Sequence, residues 1–288
     1  SLAHEFRYSD PIADSRTLVV SISQSGETMD TLMAVKHARE LGALTLSICN
    51  THGSTIPRES DAVLYTHAGP EVAVASTKGF TSQITAAYVL GLYLAQMRGG
   101  EHAVNAQAVM RELRGMPEHI QTVLDRMDRV IEIARFMADS RSVLFLGRNV
   151  GYPVAMEGAL KLKELAYIHA EGFAAGELKH GPIALIDAGQ PVFVVVPGPD
   201  TPHELHKKVV SNIQEIRARG ARTLVIAEDG DEDVVPFADE VIRVPATLPL
   251  LMPLLTIVPL QIFALHLATA KGLDVDQPRN LAKSVTVE

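Results

Sequence analysis

The sequence predicts an α/β fold in which one unit with a parallel sheet is built twice in tandem, and three observations lead there. Apolar, strand-like runs alternate with helical patterns, the βαβ rhythm that makes neighbouring strands parallel. The stretch Glu40-Leu41-Gly42-Ala43-Leu44-Thr45-Leu46 returns in kind as Ala218-Arg219-Gly220-Ala221-Arg222-Thr223-Leu224, each time between a helix and the next strand. Two uncharged helical stretches, 79–97 and 251–270, also fall at corresponding places.

Length and charge narrow the function classes. With 288 residues, 47% of them hydrophobic, the chain has room for about two domains. A net charge of -8 and a pI near 5.8 argue against a nucleic-acid binder, which needs a basic surface. An anionic ligand must therefore be captured locally. The single cysteine, Cys49, lies in a strand-like run and reads as a buried, inert thiol. One cysteine gives no intrachain disulfide and no zinc framework, which fits a reducing cytoplasm. The opening residues carry mixed charge and no apolar core of a signal peptide. The stretches 79–97 and 244–270 are long enough to span a membrane, but prolines and polar residues punctuate them, and both are read as helices buried between layers, with no membrane partner.

In order along the chain, strands are expected at Thr17–Ile22, Leu44–Cys49 and Ala62–Thr66, with a helix between the first two that has Met29, Leu32 and Met33 on one face. A helix over 76–97 follows, then charged helices over 104–113 and 120–137 that connect the halves, with Gly115 and Pro117 as punctuation. The second half restarts with a strand at Ser142–Gly147 and a helix from Pro153 to Ile168. A strand at Pro191–Val196, a helix carrying Leu205, Val209, Ile213 and Ile216, and a strand at Thr223–Ala227 complete it. The first unit lacks a counterpart of 142–168, and the chain opens at Ser1, so residues are expected upstream. The expected units are 1–115 and 116–288.

Four stretches carry the candidate chemistry. Ser23-Gln24-Ser25-Gly26-Glu27-Thr28 joins a strand to a helix, and such a turn offers backbone N–H groups and hydroxyls to a phosphate, although a serine there also serves as a plain helix cap. Glu157, Lys161 and Glu164 share one helix face, as a surface salt-bridge ladder also would. The segment 170–182, rich in small residues and ending in Lys179-His180-Gly181-Pro182, is expected to be neither plain helix nor strand, and His180 suits proton transfer near neutral pH as well as a structural role in its own loop. The tail Asp274 to Glu288 lacks both helical periodicity and linker composition; tied down, a lysine in it could form an imine with a carbonyl substrate.

Taken with Val74-Ala75-Ser76-Thr77-Lys78, Glu157-Gly158-Ala159-Leu160-Lys161-Leu162-Lys163-Glu164, Gly176 to Pro182 and the terminal Asp276-Gln277-Pro278-Arg279-Asn280-Leu281-Ala282-Lys283-Ser284-Val285-Thr286-Val287-Glu288, the chain resembles the isomerase region of the glutamine–fructose-6-phosphate aminotransferases along its whole length. That resemblance implies two tandem sugar isomerase (SIS) units, flavodoxin-like three-layer αβα sandwiches with mainly parallel sheets, the first of them incomplete. It implies that Ser23, Gln24, Ser25 and Thr28 bind the sugar phosphate and that Val74, Ala75, Ser76 and Ala282 help to fix the sugar. Glu164 would move a proton between C1 and C2, Lys161 would handle a hydroxyl proton, His180, reached across a dimer interface, would open the ring, and Lys283 would form the Schiff base. The implied partners are fructose 6-phosphate, glucosamine 6-phosphate, a glutaminase domain of the same full-length chain and a second copy in a homodimer. No cofactor and no metal ligand is called for. The N-terminal cysteine nucleophile of the glutaminase is absent from this sequence, as is the opening strand-turn-helix of the first unit. Two alternatives stand beside this reading: a non-catalytic phosphosugar-binding module, and a phosphosugar isomerase or deglycase without a glutaminase.

Overall fold

The computed structural model describes residues 1–284, so the last four residues of the terminal motif, 285–288, lie outside the described residues. The chain divides into two compact units, 1–106 joined by the tail from Arg279, and Gln107–Pro278. The division expected near 115 thus falls inside a helix after Ala106, and the tail belongs with the first unit.

The first unit holds α1 (Ala3–Phe6), β1 (Leu18–Ser23), α2 (Met29–Glu40), β2 (Leu44–Cys49), α3 (Thr55–Glu59), β3 (Ala62–Tyr65) and α4 (Lys78–Arg98). Its three strands are parallel in the order β1-β2-β3, with Leu18 opposite Leu44 and Leu46 opposite Ala62. Leu32, Val35 and Ile56 bury together beneath α2. The expectation that α4 is buried does not hold: of its residues Gly79 and Ala86 are buried, while Tyr93, Leu94 and Met97 are exposed. A sheet of three strands offers too little apolar face to cover a helix of 21 residues.

The second unit contains most of α5 (Glu101–Leu124), then α6 (Asp128–Phe136), β4 (Ser142–Gly147), α7 (Gly151–Ala166), β5 (His169–Ala174), β6 (Pro191–Val195), α8 (Leu205–Arg217), β7 (Arg222–Glu228), β8 (Glu240–Val244) and α9 (Met252–Ala270). All five strands are parallel in the order β5-β4-β6-β7-β8. Both faces of the sheet are covered at its centre, so the central strands β4, β6 and β7 are largely apolar and buried, while the edge strands β5 and β8 carry charge. Leu144, Leu146, Val192 and Val194 pack with Val209, Ile213 and Ile216 of α8. On α9, Phe263 lies edge-on to Phe193, which stacks on Phe145. The helix α9 is long and apolar enough to cross a membrane by composition alone, yet 72% of its most apolar window is buried in this unit, where it serves as a core helix.

Two local expectations fail for tertiary reasons. Helix α5 runs unbroken through Gly115 and Pro117. A glycine and a proline inside a helix cost about 1 and 3 kcal/mol, but Leu113, Met116 and Val123 are all buried from this helix, each contributing about 1.5–3 kcal/mol. The segment after α7 opens with a true strand, β5, whose small residues gave no alternating pattern; 3₁₀ turns at Ala175–His180 and Pro182–Leu185 then follow.

The repeat is visible atom by atom. In the first unit Asp61 Oδ2 accepts the N–H and the hydroxyl of Thr45, each at 2.8 Å, and Asp61 N–H donates back to Thr45 Oγ1 at 3.1 Å. In the second, Asp239 holds Thr223 by the same three bonds, at 2.7, 3.1 and 3.0 Å. Arg39 and Arg217 lie beside the two aspartates, and Gly42 and Gly220 take the left-handed turn before each threonine strand.

Candidate functional site

The turn after β1 is rigid because its serines are used inside it. Ser23 Oγ accepts the Gly26 N–H at 3.0 Å, and Ser25 Oγ accepts the Glu27 N–H at 3.2 Å. Gly26 has φ +70, and a Cβ there would lie 2.0 Å from Ser54 Oγ. Glu27 reaches out to accept the Thr55 N–H at 2.8 Å, and the hydrogen bonds from Thr55 hold its carboxyl below the usual range. Helix α2 begins after Thr28, whose side chain makes no capping bond. The cap reading of these serines therefore gives way: they brace the turn, and the N-cap residue itself, Thr28, leaves the first-turn N–H groups of α2 without a side-chain cap. Gln24 contributes its carbonyl to Thr51 Oγ1 at 3.3 Å.

Beside it in the same unit runs the loop from β3 to α4. Ala75 is buried and Val74 and Ser76 are half-buried. Ser76 donates to Glu71. The tail is fastened here twice: Ser284 Oγ lies 3.2 Å from Ser25 Oγ, and the Lys283 ammonium donates to the Ala73 carbonyl. Lys283 and Ala282 are themselves exposed. The structure thus brings the turn, the Val74–Ser76 loop and Lys283 together.

In the second unit α7 carries the charged face. Lys161 is 3% exposed, and its Nζ sits 2.6 Å from Glu164 Oε2 and 3.3 Å from Glu157 Oε1. A buried ammonium without such partners is costly. This burial rules out a surface ladder. Burial pushes the Glu157 carboxyl up against the pull of Lys161, and the charge of Glu164 adds to the rise. Glycines let α7 lie close to its neighbours: a Cβ at Gly172 of β5 would come within 2.7 Å of Met156 Cα, and one at Gly158 of α7 within 2.5 Å of Leu260 Cδ1 on α9. His180 stands apart from this pair. It closes a 3₁₀ turn, its ring is exposed, and its Nδ1 meets Glu177 of the same turn at 2.8 Å. Elsewhere in this unit His206 Nε2 pairs with buried Asp231 at 2.8 Å, with Asp233 4.0 Å from its Nδ1.

A profile of the SIS domain matches residues 1–93 and 136–271, one stretch in each unit. The chain belongs to the SIS-domain family. This SIS chain is 70% identical over its whole length to the isomerizing glutamine–fructose-6-phosphate aminotransferase of Leifsonia xyli and 68% identical to that of Corynebacterium diphtheriae, covering 47% and 46% of those proteins. It spans about half the length of the curated relatives it matches. Its fold matches the C-terminal domain of a glucosamine-fructose-6-phosphate aminotransferase from Francisella tularensis with a TM-score of 0.90 and 38% identity, over 96% of this chain and 78% of that one. Two side chains that organise the SIS chain's first unit, Glu27 and Glu71, escaped sequence reasoning as structural anchors. Their partners lie 28 and 5–8 residues away, and no local pattern marks them.

Proposed function

We propose that this chain is the sugar-isomerising part of a cytoplasmic aminotransferase that makes glucosamine 6-phosphate and glutamate from fructose 6-phosphate and glutamine. The observation that carries the proposal is the buried Lys161 held against Glu164. A module that only binds a phosphosugar has no use for a proton-transfer pair, whereas aldose–ketose interconversion needs a carboxylate that removes a proton from one carbon and returns it to the next. The family relationship supports the substrate. Ser23, Gln24, Ser25 and Thr28 take the phosphate, and Val74, Ala75, Ser76 and Ala282 hold the sugar. Lys283, once neutral and released from Ala73, attacks the ketose carbonyl and forms an imine as water leaves. Glu164 transfers the proton between C1 and C2, and Lys161 serves a hydroxyl. His180, exposed on its turn, opens the ring from a second copy in a homodimer. Ammonia comes from a glutaminase domain of the same full-length protein.

In the complete protein, Glu164→Gln is expected to lower glucosamine 6-phosphate formation by at least 100-fold, as loss of a general base does, while calorimetry still detects fructose 6-phosphate binding. Turnover at the wild-type rate refutes the assignment.

A further inference from the structure

One carboxylate holds the loop between β3 and α4. Glu71 is 8% exposed, and its two oxygens do different work. Oε1 accepts the Thr77 N–H at 2.8 Å, the Thr77 hydroxyl at 3.1 Å and the Gly79 N–H at 3.4 Å. Oε2 accepts the Ser76 hydroxyl at 2.9 Å. Thr77 is the N-cap residue of α4, yet its own side chain does not cap the helix, so Glu71 supplies the acceptor. Gly79 makes room for it, since a Cβ there would lie 2.4 Å from Oε2 and 2.9 Å from Ser76 Oγ.

The consequence lies in the direction of the Ser76 bond. Burial pushes the Glu71 carboxyl up, but the hydrogen bonds from Thr77, Ser76 and Gly79 outweigh burial and hold it below the usual range. An ionised carboxylate only accepts, and a serine hydroxyl has one proton to give. With that proton committed to Oε2, Ser76 has lone pairs left for anything else. Val74 and Ala75 offer no polar side chain, so the polarity of the triplet's side chains is that of Ser76. We propose that Glu71 is a specificity-setting positioning residue, which fixes Ser76 as a hydrogen-bond acceptor so that the loop selects a ligand hydroxyl at that point. The proposal rests on the assignment of Ser76 to the sugar made above.

The test uses the complete protein and KM for fructose 6-phosphate. Glu71→Gln keeps an oxygen for Thr77 and Gly79 but turns an NH2 towards Ser76, which must then accept from it and point its own proton outward. KM is expected to rise about tenfold, the loss of one hydrogen bond to a ligand hydroxyl, with kcat within twofold of wild type. Ser76→Ala raises KM by a similar factor, and the double variant is no worse than Ser76→Ala alone, because Glu71 acts through Ser76. An unchanged KM in Glu71→Gln, or penalties that multiply in the double variant, overturns the proposal. An unchanged KM in Ser76→Ala shows instead that the sugar assignment is at fault, and the proposal falls with it. A second measurement needs no variant at Glu71. Among analogues in which each sugar hydroxyl in turn is replaced by fluorine, which cannot donate, one position must weaken binding to wild type about tenfold but not to Ser76→Ala; the absence of such a position also overturns the proposal.

Discussion

Glu71 and Glu157 are both largely removed from solvent, and their neighbours move them in opposite directions. Burial raises both, but around Glu71 the hydrogen bonds win, whereas around Glu157 burial wins over Lys161 with help from Glu164. For Glu71 the folded carboxyl is more acidic than the unfolded one. Its contribution to stability is therefore complete above the unfolded value of about 4.5 and is lost as pH falls through the lower folded value. The gap in Tm between wild type and Glu71→Gln is expected to be constant near neutrality and to shrink from about pH 5 towards pH 3; a gap that persists unchanged in acid contradicts this account. Residues of this kind explain what sequence could and could not convey. The turn from Ser23 to Thr28 was legible because strand, turn and helix are contiguous, and Lys161 and Glu164 because i, i+3 spacing puts them side by side. Burial of Lys161 and the anchoring role of Glu27 were not legible, since each depends on what another segment places nearby, and Glu71 was not because the path of its own loop, irregular in sequence, decides which groups face it.

At the scale of elements, α7 is positioned by absent side chains. Gly158 in the helix and Gly172 beneath it on β5 differ in what a methyl group would strike. At Gly172 the obstacle is the backbone of Met156, one residue before Glu157, and at Gly158 it is chiefly the flexible end of Leu260, with the Phe145 ring at 3.2 Å. Gly172→Ala is expected to cost about 1–3 kcal/mol by overpacking and to weaken activity by shifting the turn that carries Glu157. Gly158→Ala is expected to cost less, because alanine regains up to about 1 kcal/mol of helix propensity. Chemical denaturation of both variants decides, and equal losses refute the distinction. The elements that sequence misjudged were decided by distant partners. Helix α5 passes Gly115 and Pro117 because its other side is buried, β5 is a strand because β4 pairs with it along its whole length, and α4 is left exposed by a narrow sheet.

At the scale of the whole molecule, the two units repeat a frame but not a chemistry. The counterpart of the turn from Ser23 to Thr28, between β6 and α8, carries Gly198, Pro199 and Asp200, and the Glu228 carboxylate closes over Gly198. Burial and the nearby charges of Asp231 and Asp200 push that carboxyl up. A cluster so acidic repels a phosphate, so the phosphate role proposed for the turn from Ser23 to Thr28 does not extend to this one. What both units kept is the clamp of Thr45 on Asp61 and of Thr223 on Asp239, in the same register. Thr45→Val and Thr223→Val, each removing a buried hydroxyl, are expected to destabilise by about 1 kcal/mol. Hydrogen exchange should quicken in β2 and β3 for the first and in β7 and β8 for the second, and spread of either effect across both sheets refutes this localisation. The paired clamps thus make the chain its own control experiment. One chemical change, made at two equivalent addresses in a single polypeptide, compares a five-stranded setting with a three-stranded one while sequence, solvent and temperature stay the same.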